Sequence, residues 1–140
     1  MGGKYVKIRQ DSSRFVKIVS AVVVLVAGVF AVGIRPASAT LNNSSCEYGE
    51  FCLWDWNNGS GGTREFYWSS GHSGLPWVGY SGYVRNDAQS AKNRDSECTF
   101  RVIDDRGWWP DDWQDIPNDG VLRNLISSVD NENDRHERRC

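Results

Sequence analysis

Phe51-Cys52-Leu53-Trp54-Asp55 and, 49 residues further on, Phe100-Arg101-Val102-Ile103-Asp104 are two copies of one phrase, an apolar strand running into an acid and then a turn of Asn, Arg or Gly. A second echo follows: Arg85-Asn86, Ser90 and Asn93 recur as Arg123-Asn124, Ser128 and Asn131 at an offset of 38. Self-similarity at a period of this size signals a duplicated structural unit. The fall of 11 residues in the offset makes the second copy shorter in its middle, where the first holds Ser69 to Gly82. Copies of about 40 to 50 residues, each with at most four strands, are too small to bury a face alone but can close on one another as a sandwich.

The composition points the same way. From Thr40 onward, fourteen aromatic residues stand against thirteen Leu, Ile and Val, and ten Gly punctuate short apolar runs. That mixture favours strands and turns. Strands are predicted at Phe51–Trp54, Arg64–Trp68, Trp77–Val84 and Thr99–Ile103, with turns at Asn57-Asn58-Gly59-Ser60-Gly61-Gly62 and Asp104-Asp105-Arg106-Gly107. Leu122, Leu125, Ile126 and Val129 depart from the pattern, falling at i, i+3, i+4 and i+7, the spacing of a short surface helix or turn. The fold class read from this punctuation is all-β.

At the N-terminal end, Lys4, Lys7, Arg9, Arg14 and Lys17 face a single acid, Asp11, before the 17-residue apolar run Ile18–Ile34 and the small residues Ala37-Ser38-Ala39. These are the parts of a secretory signal peptide over residues 1–39. As a membrane anchor the run would reach only about 25 Å, short of a hydrocarbon core of about 30 Å. No Cys follows Ala39 directly and no Arg-Arg pair precedes the run, so neither a lipoprotein anchor nor twin-arginine export is indicated. Thr40 to Cys140 leaves 101 residues with ten bases and seventeen acids, a net charge of −7. Such acidity disfavours nucleic acid and anionic lipid as partners, because phosphate binding relies on clustered Lys and Arg. No membrane contact is expected after cleavage.

All four cysteines, Cys46, Cys52, Cys98 and Cys140, follow the cleavage site, and an even number in an exported chain argues for two disulfides. Three pairings are open. Cys46 with Cys52 and Cys98 with Cys140 is preferred, since five intervening residues suit a tight local loop. Chain entropy gives about 2.4 kcal/mol for closing a seven-residue ring and about 4 kcal/mol for one of 43. From Asp130 to Arg139 there is no apolar residue, so residues 130–140 read as a polar tail that only Cys140 fixes to the body.

The phrase FCLWDWNNGSGG from Phe51 to Gly62, the later Asn86-Asp87-Ala88-Gln89-Ser90, the Asn93-Arg94 after it and the early pair Cys46 and Cys52 resemble the Streptomyces metalloproteinase inhibitor family over nearly all of residues 46–131. The resemblance implies a secreted, extracellular, monomeric domain over residues 40–140. Its fold would be the βγ-crystallin-like double Greek-key sandwich, motif one at about 46–94 and motif two at about 98–131. It implies an extracellular proteinase as partner, in particular a metalloproteinase, inhibited by a rigid loop offered to the active-site cleft, with no cofactor required. An ordered loop has already lost conformational entropy, so binding is tight and release slow. The family's type member carries a short-range disulfide in each half, with its reactive loop near the second. Here Cys98 has no close partner, so no reactive bond carries over. The candidate inhibitory loops are Asp104–Asn118, with Trp108, Trp109 and Trp113, and Ser69–Gly82.

Each of these segments has a competing reading. The tryptophan loop also reads as an aromatic cap on a small core, or as a stacking surface for sugar rings in a polysaccharide-binding envelope module. The crystallin resemblance raises calcium: Asn86, Asp87 and Ser90 supply hard oxygen donors in a phrase that follows N/D-N/D-x-x-S/T-S except for Ala91 in place of the last Ser, against the plainer reading of a fold-forming turn. The acids Asp104, Asp105, Asp111, Asp112, Asp115 and Asp119 do not follow calcium-loop spacing and read as a solvated face. Catalysis finds no purchase. Gly71-His72-Ser73-Gly74-Leu75 lacks the final Gly of a nucleophile elbow, no HExxH or phosphate loop occurs, and the two histidines, His72 and His136, lie in polar stretches expected to be exposed.

Overall fold

The computed structural model describes residues 41–140; the signal peptide expected at residues 1–39 lies outside them. β1 (Phe51–Trp56) sends Phe51 and Leu53 into the core, while Cys52 on its other face is bonded to Cys46. A 3-10 turn at Asn57–Gly59, with Asn58 at φ 60° and Gly59 at φ 69°, reverses the chain into β2 (Ser60–Phe66). Asn and Gly tolerate that left-handed region, which is why the turn falls there. A register break between Trp54 and Trp56 buries the Asp55 carboxylate, whose Oδ1 accepts the Gly62 N–H at 2.7 Å. Gly62 itself is required by close approach, because a Cβ there would sit 2.7 Å from the Cβ of Trp77.

The remaining strands are β3 (Ser70–Gly71), β4 (Ser90–Asn93), β5 (Thr99–Asp104), β6 (Asp112–Ile116), β7 (Arg123–Asn124) and β8 (Arg135–Arg139). They form two antiparallel four-stranded sheets, ordered β2-β1-β4-β7 and β3-β8-β5-β6. Each run of four strands therefore gives its third strand to the other sheet. The halves also mirror each other in their hydrogen bonds. Asn86 N–H donates to Asn133 O and Asn131 N–H to Ala88 O, and Gln89 N–H to Trp54 O matches Asp134 N–H to Ile103 O. Between the sheets, Phe51 and Phe100 stack at 4.5 Å within a core that includes Leu53, Val102, Ile116 and Val129. The first repeated phrase thus supplies the matching faces of the sandwich. The second disulfide joins Cys98, at the entry to β5, to Cys140, at the exit of β8.

Several expectations change. Arg135–Arg139 is no tail: it is β8, paired on one side with β3 and on the other with β5. Of the helix or turn expected from Leu122 to Val129 only the turn is present, closed by Val129 N–H to Ile126 O, because Arg123–Asn124 extends to pair with β4 and only Leu125 and Val129 point inward. Strand pairing outweighs the weak local preference. Trp77–Val84 is a covering loop, touching its neighbours through isolated bridges Thr63↔Val78 and Pro76↔Tyr83. The offset of 38 does not follow the strands, because Arg123–Asn124 is a strand while Arg85–Asn86 lies in a turn. The structural repeat there runs at 45: Asn86 (φ 56°) and Asn131 (φ 58°) each stand four residues before a strand, β4 and β8.

The histidines are the largest departure. His72 and His136 are buried, packed among Phe51, Phe66 and Phe100. The Asn133 side chain accepts the Ala88 N–H (2.8 Å), donates to Val84 O (2.8 Å) and lies with its Nδ2 2.8 Å from His72 Nδ1, which is also 3.1 Å from Asn133 O; His72 Nε2 meets His136 Nδ1 at 2.8 Å, and His136 Nε2 meets Trp68 O at 2.8 Å. A carbonyl only accepts, so His136 carries its proton on Nε2 and receives one from His72 Nε2–H. The chain runs in one direction with both rings neutral. Burial drives the His72 pKa down to about 4, and burial together with the neighbouring ring drives His136 to about 3.

Candidate functional site

The loop from β4 to β5, Arg94 to Cys98, is held from beneath at every turn. Asn93 is wholly buried; its Nδ2 donates to Cys98 O and Ile116 O, both at 2.9 Å, and its Oδ1 accepts the Asp95 N–H at 2.9 Å. Asp95, 5% exposed, accepts the N–H groups of Glu97 (2.8 Å) and Cys98 (2.9 Å) on Oδ1 and the Arg138 Nε–H (2.6 Å) on Oδ2. Burial opposes ionisation of that carboxyl, but the guanidinium and the two amides outweigh it and hold its pKa below the usual range. Arg94 exchanges backbone bonds with Gly49 and Glu50, and its Nη1 donates to Cys46 O, so both disulfides lie at the loop's base.

Ser96 and Glu97 are exposed above this clamp. Two clefts share Asp95 and Ser96 as a wall: one of 410 Å³ bounded by Tyr67, Trp68 and Arg138, the other of 330 Å³ bounded by Tyr48, Asn118 and Asp119. Arg138 ties the first together, stacking on the Trp68 ring at 5.0 Å while it bonds Asp95. The segment is thus a stiff, solvent-facing ridge with room on either side for the walls of another protein's cleft.

The residues singled out from the sequence fall elsewhere. Trp108 and Trp109 project from the β5–β6 hairpin at 102% and 73% relative exposure and Trp113 on β6 is 50% exposed, so none of them caps the core. β5 joins the two regions, and its six residues at about 3.3 Å each separate the hairpin from the clamped loop by roughly 20 Å. The acids around the hairpin are paired rather than bare: Asp112 with Arg106 at 2.8 Å, Asp115 with Arg101 at 2.7 Å and Asp111 with Arg135 at 3.1 Å. The Ser69–Gly82 loop is spent largely on the fold, with Ser70–Gly71 in β3, and His72 and Trp77 buried.

The residues considered for calcium are engaged in holding turns. The Asp87 Oδ2 accepts the Trp77 indole N–H at 2.8 Å; the Ser90 hydroxyl donates to Trp56 O (2.7 Å) and accepts the Gly59 N–H (3.0 Å); Asn86 supplies the left-handed turn. These bonds are those of a fold-forming turn. Chelator treatment is accordingly expected to leave the melting temperature unchanged on adding calcium, whereas a site filled at 100 times its Kd would add about 2.7 kcal/mol, a shift of roughly 10 °C or more at this size.

The described residues form a cystine-bonded β sandwich that carries a braced, solvent-facing loop. The sequence of residues 39–115 matches the peptidase inhibitor family I36, and the chain belongs to that family. No curated protein and no solved structure matches it. Membership makes a peptidase the implied partner and inhibition, rather than catalysis, the implied activity. The Arg94–Cys98 loop was not singled out from the sequence, although Asn93 and Asp95, two polar turn-formers two residues apart, are the pattern by which such side chains organise a backbone.

Proposed function

We propose that this chain is a secreted inhibitor of extracellular metalloproteinases, and that Arg94–Cys98 is the segment it offers to the active-site cleft. The observation that carries the assignment is the Asp95 clamp: a buried carboxylate bonded to two loop amides and to Arg138 beneath exposed Ser96 and Glu97. A segment ordered in advance pays little entropy on binding, and a cut peptide held at both ends stays in register for religation rather than departing. The family's second short-range disulfide has no counterpart here, so the choice of this loop rests on its bracing, with the Cys98–Cys140 bridge at its base. The exchange of third strands and the reciprocal hydrogen bonds between halves support the βγ-crystallin-like double Greek key. Removal of residues 1–39 on export, a monomeric state and no required cofactor complete the reading.

Titrating the protein into a thermolysin-like secreted metalloproteinase is expected to abolish hydrolysis at one equivalent, with slow recovery on dilution. No loss of hydrolysis across a panel of secreted metallo- and serine proteinases overturns the assignment.

A further inference from the structure

We propose that the β5–β6 hairpin end of the sandwich is a carbohydrate-binding site, in which Trp108, Trp109 and Trp113 stack on the rings of an uncharged polysaccharide. The core closes without these indoles: the inward residues of the same strands, Phe100, Val102 and Ile116, are fully buried. Their exposure is therefore not the overflow of a small core. The platform is also stiff, because Arg106 bonds Asp112 and Arg135 bonds Asp111 across the hairpin's base. Trp113 has the Arg101 guanidinium 4.8 Å from its ring centre, and that guanidinium is fixed to Asp115 by bonds of 2.7 and 2.8 Å. One face of the ring is backed and the residue's exposed half is offered outward.

Beside it lies a hollow of 260 Å³, lined by Ile103, Pro110 and Trp113 together with Asp111, Arg135 and Glu137. Flat apolar surface flanked by carboxylates and guanidiniums held in place matches a sugar, which has an apolar ring face and a rim of hydroxyls that donate and accept. Protein-binding aromatics instead sit centrally in a face of about 800 Å² per partner, ringed by other well-packed contacts. Here the indoles stand on a projecting tip and an edge strand with ion pairs on either side. The excess of acids over bases from Thr40 onward turns away polyanions and leaves uncharged polymers as the class that fits. Because the hairpin stands at the far end of β5 from Arg94–Cys98, a bound polysaccharide leaves that loop free.

The test is co-sedimentation of the purified protein with chitin and with cellulose particles, beside the double variant Trp108→Ala/Trp109→Ala and a polyanionic control resin. Retention on at least one of the two polymers, at least tenfold weaker for the variant, is expected, with no retention on the control and an unchanged melting temperature and inhibition stoichiometry. Failure of the wild-type protein to sediment with either polymer, or equal retention of the variant, overturns the proposal. Loss of inhibition in the variant also overturns it, by assigning the indoles to the proteinase contact; absence of inhibition in the wild-type protein bears on the inhibitor reading alone.

Discussion

Asp95→Ala is expected to raise the inhibition constant about 100-fold and to turn the protein from an inhibitor into a substrate. The variant loses three charge-assisted bonds, from Glu97 N–H, Cys98 N–H and Arg138 Nε–H, each worth roughly 1.5–3 kcal/mol when buried. About 2.7 kcal/mol of that, lost as ordering energy on binding, is a hundredfold in affinity. Asp95→Asn retains an acceptor for the two amides while giving up the ion pair with Arg138, so its constant should fall between those of the wild type and the Ala variant. Peptide mapping during the assay separates this from simple destabilisation. A loosened loop is cut between Arg94 and Cys98 at turnover rates while the sandwich stays folded; a merely unstable protein is degraded throughout. Acid alone does not release the clamp until the pH falls below the ordinary carboxylate range. The depressed Asp95 pKa gives a contribution to stability that is complete above the unfolded value of 3.8 and is lost as pH drops through the lower folded one.

A second large effect belongs to the core. Both imidazoles titrate near 6.5 in the unfolded chain, but His72 and His136 stay neutral in the fold until about pH 4 and 3. Between pH 6.5 and 4 the unfolded state therefore binds protons that the native state refuses. The two rings' contribution to stability is complete above pH 6.5 and falls on acidification, by up to about 2.7 kcal/mol per pH unit where both contribute, while Glu50 and Asp55, whose pKa values burial raises, bind protons earlier in the native state and offset part of that fall toward the acid end. Urea midpoints at pH 7.5, 6 and 5 read this slope directly. His72→Gln keeps a donor for His136 Nδ1 and removes one titrating ring, so its slope should fall to about one proton while its stability at pH 7.5 drops by about 1–3 kcal/mol for the acceptor that Asn133 loses. A pH-independent midpoint over this range contradicts the buried, neutral pair.

The duplicated strand phrase made the sandwich legible, because Phe51 and Phe100, and Leu53 and Val102, perform the same packing in the two halves. Matching residue names beyond that phrase misled. Arg85-Asn86 looks like Arg123-Asn124, yet the positions that correspond are Asn86 and Asn131, whose shared property is a left-handed φ that invites Asn without dictating its neighbours. β8 was hidden for a related reason. Arg135 to Arg139 has no aliphatic residue to mark a period of two; its inward residue, His136, opposite Val102, is buried by neutralisation and hydrogen bonding rather than by hydrophobicity. The clamped loop reads as Asp-Ser-Glu, an ordinary polar turn, until Arg138 and Cys140 are brought beside it from 43 and 42 residues away. The tryptophans stood out in the sequence by number alone, and number does not say whether an indole faces the core or the solvent.

The central claim is tested most directly by incubating equimolar protein with an active secreted metalloproteinase and following the mixture by intact-mass spectrometry and peptide mapping. One slow cleavage between Arg94 and Cys98, in a molecule that remains bound and stays held together by its disulfides, is the expected result. Persistent inhibition with the only cut in the Trp108–Trp109 hairpin, or rapid cleavage at many sites with full proteinase activity, contradicts it.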